Sequence, residues 1–253
     1  MSDRAVSEVV SYVLVFGLIV SAVGIISVSG LSTLQDVRDE EQIANAERAF
    51  DILSDNIEDI HRRGAPSRAT EISLGEAELS TGSNVTMTVY VDDGDGNGLE
   101  QEAERRIRPV VYNGGEQREI AYEAGAVFRT NRDGGVIVEE PPLLIDEQRV
   151  HLPIIGLNRP QAQSLGGSTV LLRAQRQSRT VAYEDTGDNV QEIRIEIEDS
   201  NYEELWTEYL ESEGFQCDDT VLADGIQCDY DPDPSTIDVV YVVDYDIEVN
   251  IDP

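Results

Sequence analysis

The residues best placed for chemistry form the run Asp93-Gly94-Asp95-Gly96-Asn97-Gly98, with Glu104 eleven positions after Asp93. Oxygen donors at alternate positions, a glycine for the sharp turn and a closing carboxylate make the pattern with which a loop wraps a hard cation such as calcium. Asp93, Asp95, Asn97 and Glu104 are the expected ligands, and the ion would stiffen the fold without implying catalysis. The competing reading is a plain hairpin loop. Val85 to Val91 alternates like a strand where a helix would precede a calcium loop, Glu100 occupies a place usually apolar, and Asp-Gly repeats are ordinary turn chemistry.

Two cysteines, Cys217 and Cys228, are too far apart for a CxxC metal or redox motif and have no histidine near them in the sequence. In an oxidising compartment they are expected to form a disulfide, and the chain-entropy argument assigns such a loop about 3 kcal/mol; two buried thiols are the alternative. Asn84-Val85-Thr86 is a glycosylation sequon on Asn84. For an enzyme, a nucleophile elbow, a metalloprotease helix, a phosphate loop and a dinucleotide fingerprint are all missing from the sequence. The two histidines, His61 and His151, have no companion at ligand or triad spacing, and acidic pairs such as Glu139-Glu140 are too common in this chain to single out acid–base work. No catalytic residue and no cofactor beyond a structural calcium is expected.

These residues belong to a very acidic chain, with 51 Asp and Glu against 18 basic residues, all of them Arg, and a net charge of −33. No run of basic residues offsets that charge, so phosphate backbones are repelled and nucleic acid is excluded as a partner. Regular runs of Val, Ile and Tyr between the acids argue against disorder. The lysine-free, acid-rich composition suits a cell living in concentrated salt, where screening shortens and self-repulsion costs little.

What holds the domain in place is read from the N-terminus. Val9 to Leu34 is 26 residues without a charge, more than the roughly 20 that cross a hydrocarbon core and too long for the apolar part of a secretory signal, about 7 to 15 residues. Beyond it Ile43, Ala46, Phe50, Leu53, Ile57 and Ile60 recur three or four apart, which predicts that the helix continues as an amphipathic stalk until Gly64 and Pro66 stop it.

The segment Asp3-Arg4-Ala5-Val6-Ser7-Glu8, directly before the apolar run, resembles the class III signal of archaeal type IV pilins and archaellins. The resemblance covers the first 35 or so residues. It implies cleavage between Ala5 and Val6 by a prepilin peptidase, with Arg4 in the leader and Glu8, third after the cut, pairing with the new amino terminus of its own or a neighbouring subunit. It also implies a cytoplasmic N-terminus and an extracellular C-terminal domain. Interfacial solvation is the simpler reading of Glu8.

Downstream, alternating segments bounded by turn residues predict strands at Val85 to Val91, Arg108 to Tyr112, Glu119 to Arg129, Val136 to Glu140, Val150 to Leu157, Thr169 to Glu184 and Ile193 to Ile197. At the end, Val239 and every odd position to Ile251 is apolar, which predicts one buried face. Ser200 to Glu203 reads as a capping box for a helix with Tyr202, Leu205, Trp206, Tyr209 and Leu210 on its apolar face, closed by Gly214.

The expected organisation is a leader (1–5), a transmembrane helix (6–35), a stalk helix (36–63) and an extracellular β-rich domain (64–253). The fold class is α+β, with consecutive antiparallel hairpins in a sandwich or a curved sheet. The expected protein is a structural cell-surface subunit, single-pass in the membrane and pilin-like or pseudopilin-like, whose partners are the peptidase and other subunits. A tethered adhesion module that does not polymerise is the alternative, and an anchored enzyme of unfamiliar type the more distant one.

Overall fold

A computed structural model describes residues 3–115, 118–146, 148–158, 164–167, 169–187, 189–232 and 236–252. Helix α1 is Asp3–His61. Strands β1 to β8 follow at Ser67–Ser73, Glu78–Thr81, Val85–Asp92, Glu100–Ile107, Val110–Asn113, Glu119–Glu123, Ala126–Asn131 and Gly134–Glu139. Then come β9 (Leu144–Asp146), β10 (Arg149–Asn158), β11 (Ser164–Gly166), β12 (Thr169–Asp185), β13 (Glu192–Glu198), helix α2 (Glu203–Ser212), β14 (Gln216–Asp218), β15 (Gly225–Tyr230) and β16 (Val239–Asp252). The class is α+β. The chain divides into two compact units, residues 1–44 and residues 45–253.

The first unit is the beginning of α1. Its described side chains from Val10 to Ser27 are all exposed, and this stretch has a mean hydropathy of 2.3. The second unit starts inside the same helix. Ala46, Phe50, Leu53, Ile57 and Ile60 are essentially inaccessible to solvent, because their three- and four-residue spacing puts them on one stripe. Asn56 donates from Nδ2 to Thr70 Oγ1 of β1 at 2.9 Å, and Arg68 of β1 donates to Asp59. The segment expected as a stalk over 36–63 is therefore, from Ala46 onward, an integral core helix of the domain.

Three sheets build that domain, in the orders β1-β12-β16-β10-β9, β11-β2-β5-β6-β7-β8 and β14-β15-β13-β3-β4. Pairing is antiparallel except between β10 and β16, which run parallel from Arg149↔Val239 to Asn158↔Glu248. Consecutive hairpins alone do not describe this arrangement, because a parallel pair needs a long crossover. The expected strand Glu119 to Arg129 is two strands folded back at Ala124 and Gly125, whose φ values are +52° and +98°. Glycine is required at 125: a Cβ there would lie 2.4 Å from Pro142 Cδ. Glu104, the closing residue of the calcium pattern, lies within β4, paired with β3.

One apolar cluster gathers Val89, Ile195, Trp206, Phe128, Leu152 and Val242 among others. A second buried set outside it includes the α1 stripe with Leu172, Val249 and Ile251. β16 serves both, and its buried face changes from Val240 and Val242 to Val243, Tyr245, Ile247, Val249 and Ile251. The expectation of a single odd-numbered face fails at Val239 and Tyr241, which are only half-buried. A bulge opposite, between Val181 and Tyr183 of β12, marks the change.

Candidate functional site

Arg4, Ala5, Val6 and Glu8 fall in α1, and their side chains lie outside the described residues. What is described of the span is chemically uniform. From Val10 to Ser27 no charged side chain interrupts a helical surface whose apolar groups are all exposed, with Phe16 58% and Ile26 71% exposed. A helix apolar all round needs an apolar surrounding to bury it.

The Asp-Gly run is the loop joining β3 to β4. Its carboxylates are turned onto the loop's own backbone: Asp92 Oδ1 accepts from Gly94 N–H at 2.9 Å, Asp93 Oδ1 from Asp95 N–H at 3.1 Å and Asp95 Oδ1 from Asn97 N–H at 2.8 Å. Glu104 sits in β4 opposite Thr88, where its side chain accepts from Gln101 Nε2 at 3.2 Å. Among the described residues no three His, Cys, Asp or Glu side chains are grouped to hold a metal ion. In this loop the residues of the calcium pattern form successive Asx turns.

Cys217 and Cys228 are disulfide-bonded, facing each other across β14 and β15 with Cα atoms 4.0 Å apart. The bond ties the segment after α2 to a strand of the first cluster. Asn84 is exposed just before β3, where its Oδ1 accepts from Arg108 Nε at 2.8 Å.

The site that the sequence does not announce is Glu123, at the end of β6 and 1% exposed. Its Oε1 accepts two hydrogen bonds, from Ser200 Oγ at 2.7 Å and from Trp206 Nε1 at 2.8 Å, while Oε2 is buried with no partner among the described residues. Burial raises the Glu123 pKa, and the hydrogen bonds from Ser200 and Trp206 oppose that rise. Nearby, Tyr202 stacks on Phe128 with ring centroids 4.8 Å apart and donates its hydroxyl to Glu119. Ser200 Oγ also accepts from Tyr202 N–H at 3.1 Å.

That commitment explains why the expected capping box does not form. The Ser200 hydroxyl is spent on Glu123 and Tyr202, so α2 starts at Glu203 with Tyr202 as an N-cap that makes no side-chain bond. The other end behaves as expected. Gly214, at φ +95°, lets Phe215 N–H reach Leu210 O and Gly214 N–H reach Glu211 O, which closes the helix by the Schellman pattern. All five residues of the expected aromatic stripe are buried.

Ser200 also lines a polar cavity of about 500 Å³ with Asn84, Asp199, Asn201, Glu203 and Asp224. A serine donating to a buried carboxyl resembles half of a nucleophile–base pair, but its hydroxyl is also held by Tyr202 N–H, and the carboxyl oxygen it meets is shared with Trp206 Nε1. Chemically, the arrangement fastens α2 to the second sheet through two hydrogen bonds on one carboxyl oxygen.

Fold and span together define an α+β protein, mostly antiparallel, with one helix among the described residues, near the N-terminus, long and apolar enough to cross a membrane by length and composition. A family model matches residues 4–250, and the chain belongs to that family, DUF7289, a family of unknown function. Comparison with curated proteins and with solved structures finds no match.

Proposed function

We propose that this protein is a structural cell-surface subunit, tethered to a membrane by the beginning of α1, with its acidic β domain on the outer side and no catalytic role. The observation that carries this reading is the two-part character of a single helix. At one end of Asp3–His61 every described apolar side chain is exposed, and at the other the apolar stripe is fully buried in a β domain. A helix that serves a lipid phase first and a protein core afterwards is what an anchored surface domain requires.

The disulfide supports the outer placement, since such bonds persist in oxidising compartments. The segment Arg4-Ala5-Val6-Ser7-Glu8 supports a pilin-like or pseudopilin-like subunit, processed by a prepilin peptidase between Ala5 and Val6 and partnered by further subunits. A high-salt habitat follows from the same −33 charge.

The test is intact mass spectrometry of the protein extracted from its native membrane. Loss of residues 1 to 5 supports prepilin-type processing. A mass that retains Met1 to Ala5 overturns it and leaves the permanently tethered adhesion module as the better account, and recovery of the protein in the soluble fraction overturns the anchor itself.

A further inference from the structure

β12 carries two consecutive pairs to β16, Arg176↔Ile247 and Ser178↔Asp246, followed by Arg179↔Tyr245, and Gln177 is left without a partner. In an unbroken strand, residues three apart face opposite sides. The bulge at Gln177 adds one position and so brings Arg176 and Arg179 to the same side, the one on which Tyr245 and Ile247 are buried. This side belongs to the buried set that contains the α1 stripe, and here it reaches solvent at the end of the helix.

Other basic groups converge there. The His61 ring meets Tyr245 edge-on with centroids 5.5 Å apart, and the Arg179 guanidinium lies 5.8 Å from the centre of the same ring. Arg176 Nη1 stands 3.8 Å from where a Cβ on Gly64 would be, beside Arg62 and His61 in the chain. His151, one strand further across the sheet, feels the charges of Arg179 and Arg62. Both histidines of the chain are thus in one neighbourhood. Burial first, then the surrounding positive charge, holds the pKa of each below its ordinary value, and for His61 only Glu58 opposes this.

Most of the other described arginines are compensated. Eight others are paired with a carboxylate, as acids in near threefold excess would lead one to expect. On the opposite side of the same sheet, Arg105 crosses β10 at Gly156, where a Cβ would lie 2.5 Å from its Cδ, to grip Asp244 with two hydrogen bonds. Among the described residues neither Arg176 nor Arg179 has a carboxylate partner. Arg48 and Arg108 bond amide oxygens and the exposed Arg106 also lacks a carboxylate, so what sets Arg176 and Arg179 apart is that they share one side of the sheet, beside Tyr245 and both histidines. No run of basic residues in the sequence shows this grouping, which arises only where α1, β10 and β12 converge.

We propose that this face binds the oxyanion group of a ligand, a phosphate, sulfate or carboxylate, with Arg176 and Arg179 as the charged donors and Arg62, His61 and His151 around them. The net charge of −33 does not prevent this, because it is screened beyond about 10 Å even at moderate salt and the donors at the site decide. The site stands apart from the question of processing at Ala5.

The experiment is a titration of the full-length protein in detergent with inorganic phosphate, sulfate and acetate separately, at constant chloride, following the ring signals of its two histidines by NMR. Binding shifts one or both signals saturably and raises their titration midpoints, against the lowering influence of Arg62 and Arg179 and in the same direction as Glu58. The three anions distinguish a tetrahedral from a planar ligand. Replacing both donors (R176Q/R179Q) weakens binding by at least about tenfold, a loss of about 1.4 kcal/mol. Arg106→Gln, at an exposed position on β4, leaves it unchanged. If the double variant does not fold, Arg179→Gln alone gives the weaker version of the same loss. Absence of a saturable shift with all three anions, or an equal shift in the arginine variants, overturns the proposal.

Discussion

Phe16 and Phe50 stand on the same helix, yet the first is 58% exposed and the second fully buried. Around Phe16 the helix is apolar on every side. Around Phe50 it alternates an apolar stripe with Asn45, Glu47, Arg48 and Asp51. The contrast teaches that helical propensity is common to both stretches, while the distribution of charge around the axis assigns each its surroundings. An apolar surface without a polar face cannot be satisfied by a single sheet.

The strongest way to break this contrast is to truncate the two rings in parallel. Phe50→Ala is expected to cost the domain about 3–5 kcal/mol in denaturant unfolding, whereas Phe16→Ala changes domain stability by less than about 0.5 kcal/mol. Equal losses would mean that the first stretch is also held by protein contacts. Next in size, removing the disulfide in a C217A/C228A variant lowers stability by about 3 kcal/mol by the chain-entropy argument, measured as a shift in the thermal midpoint. No shift would show that the sheet pairing of β14 with β15 already fixes this segment.

Glu123 sharpens the comparison from within the core. Glu123→Ala leaves Ser200 Oγ and Trp206 Nε1 without their acceptor, at a cost of about 1–3 kcal/mol. Its pH dependence has a definite sign. A carboxyl whose pKa is raised on folding binds its proton more tightly in the native state, so its contribution is greatest below the unfolded value of 4.5 and declines as pH rises through the elevated native value. Glu123→Gln should therefore flatten this decline, and an unchanged stability–pH curve would contradict it.

A further pH-dependent effect concerns His61, held down to about 4 from 6.5 chiefly by burial. Stability from the neutral ring is fully present above about 6.5 and is lost as pH falls toward about 4. His61→Gln removes this slope, read from thermal midpoints across that window. A slope that persists in the variant would assign it to the carboxylates alone.

Much of the fold was legible where one rule of local chemistry sufficed. The period of two in β3, β10 and β13, the helical spacing in α2 and its stop at Gly214 needed no partner to be read. Legibility failed where the chain meets itself at long range. The parallel pairing of β10 with β16, the break of β16's buried face and the loss of the Ser200 cap each depend on residues far away in sequence. Of the candidate sites, the disulfide followed from counting cysteines, whereas Glu123 was one carboxylate among 51 acids and only its neighbours distinguish it.

What the sequence determined by itself is the apolar span, the acidic β-rich domain and the order of most elements, because hydropathy and periodicity act over a few residues at a time. Tertiary structure alone decided that the second part of α1 is core, that Glu123 sits beneath Ser200 and Trp206, and that Arg176 and Arg179 share a side with both histidines. The last of these turns on one residue outside the strand register, Gln177: a single added position reverses which way the following side chains face, up to the second bulge between Val181 and Tyr183, and strand pairing sets where that addition falls.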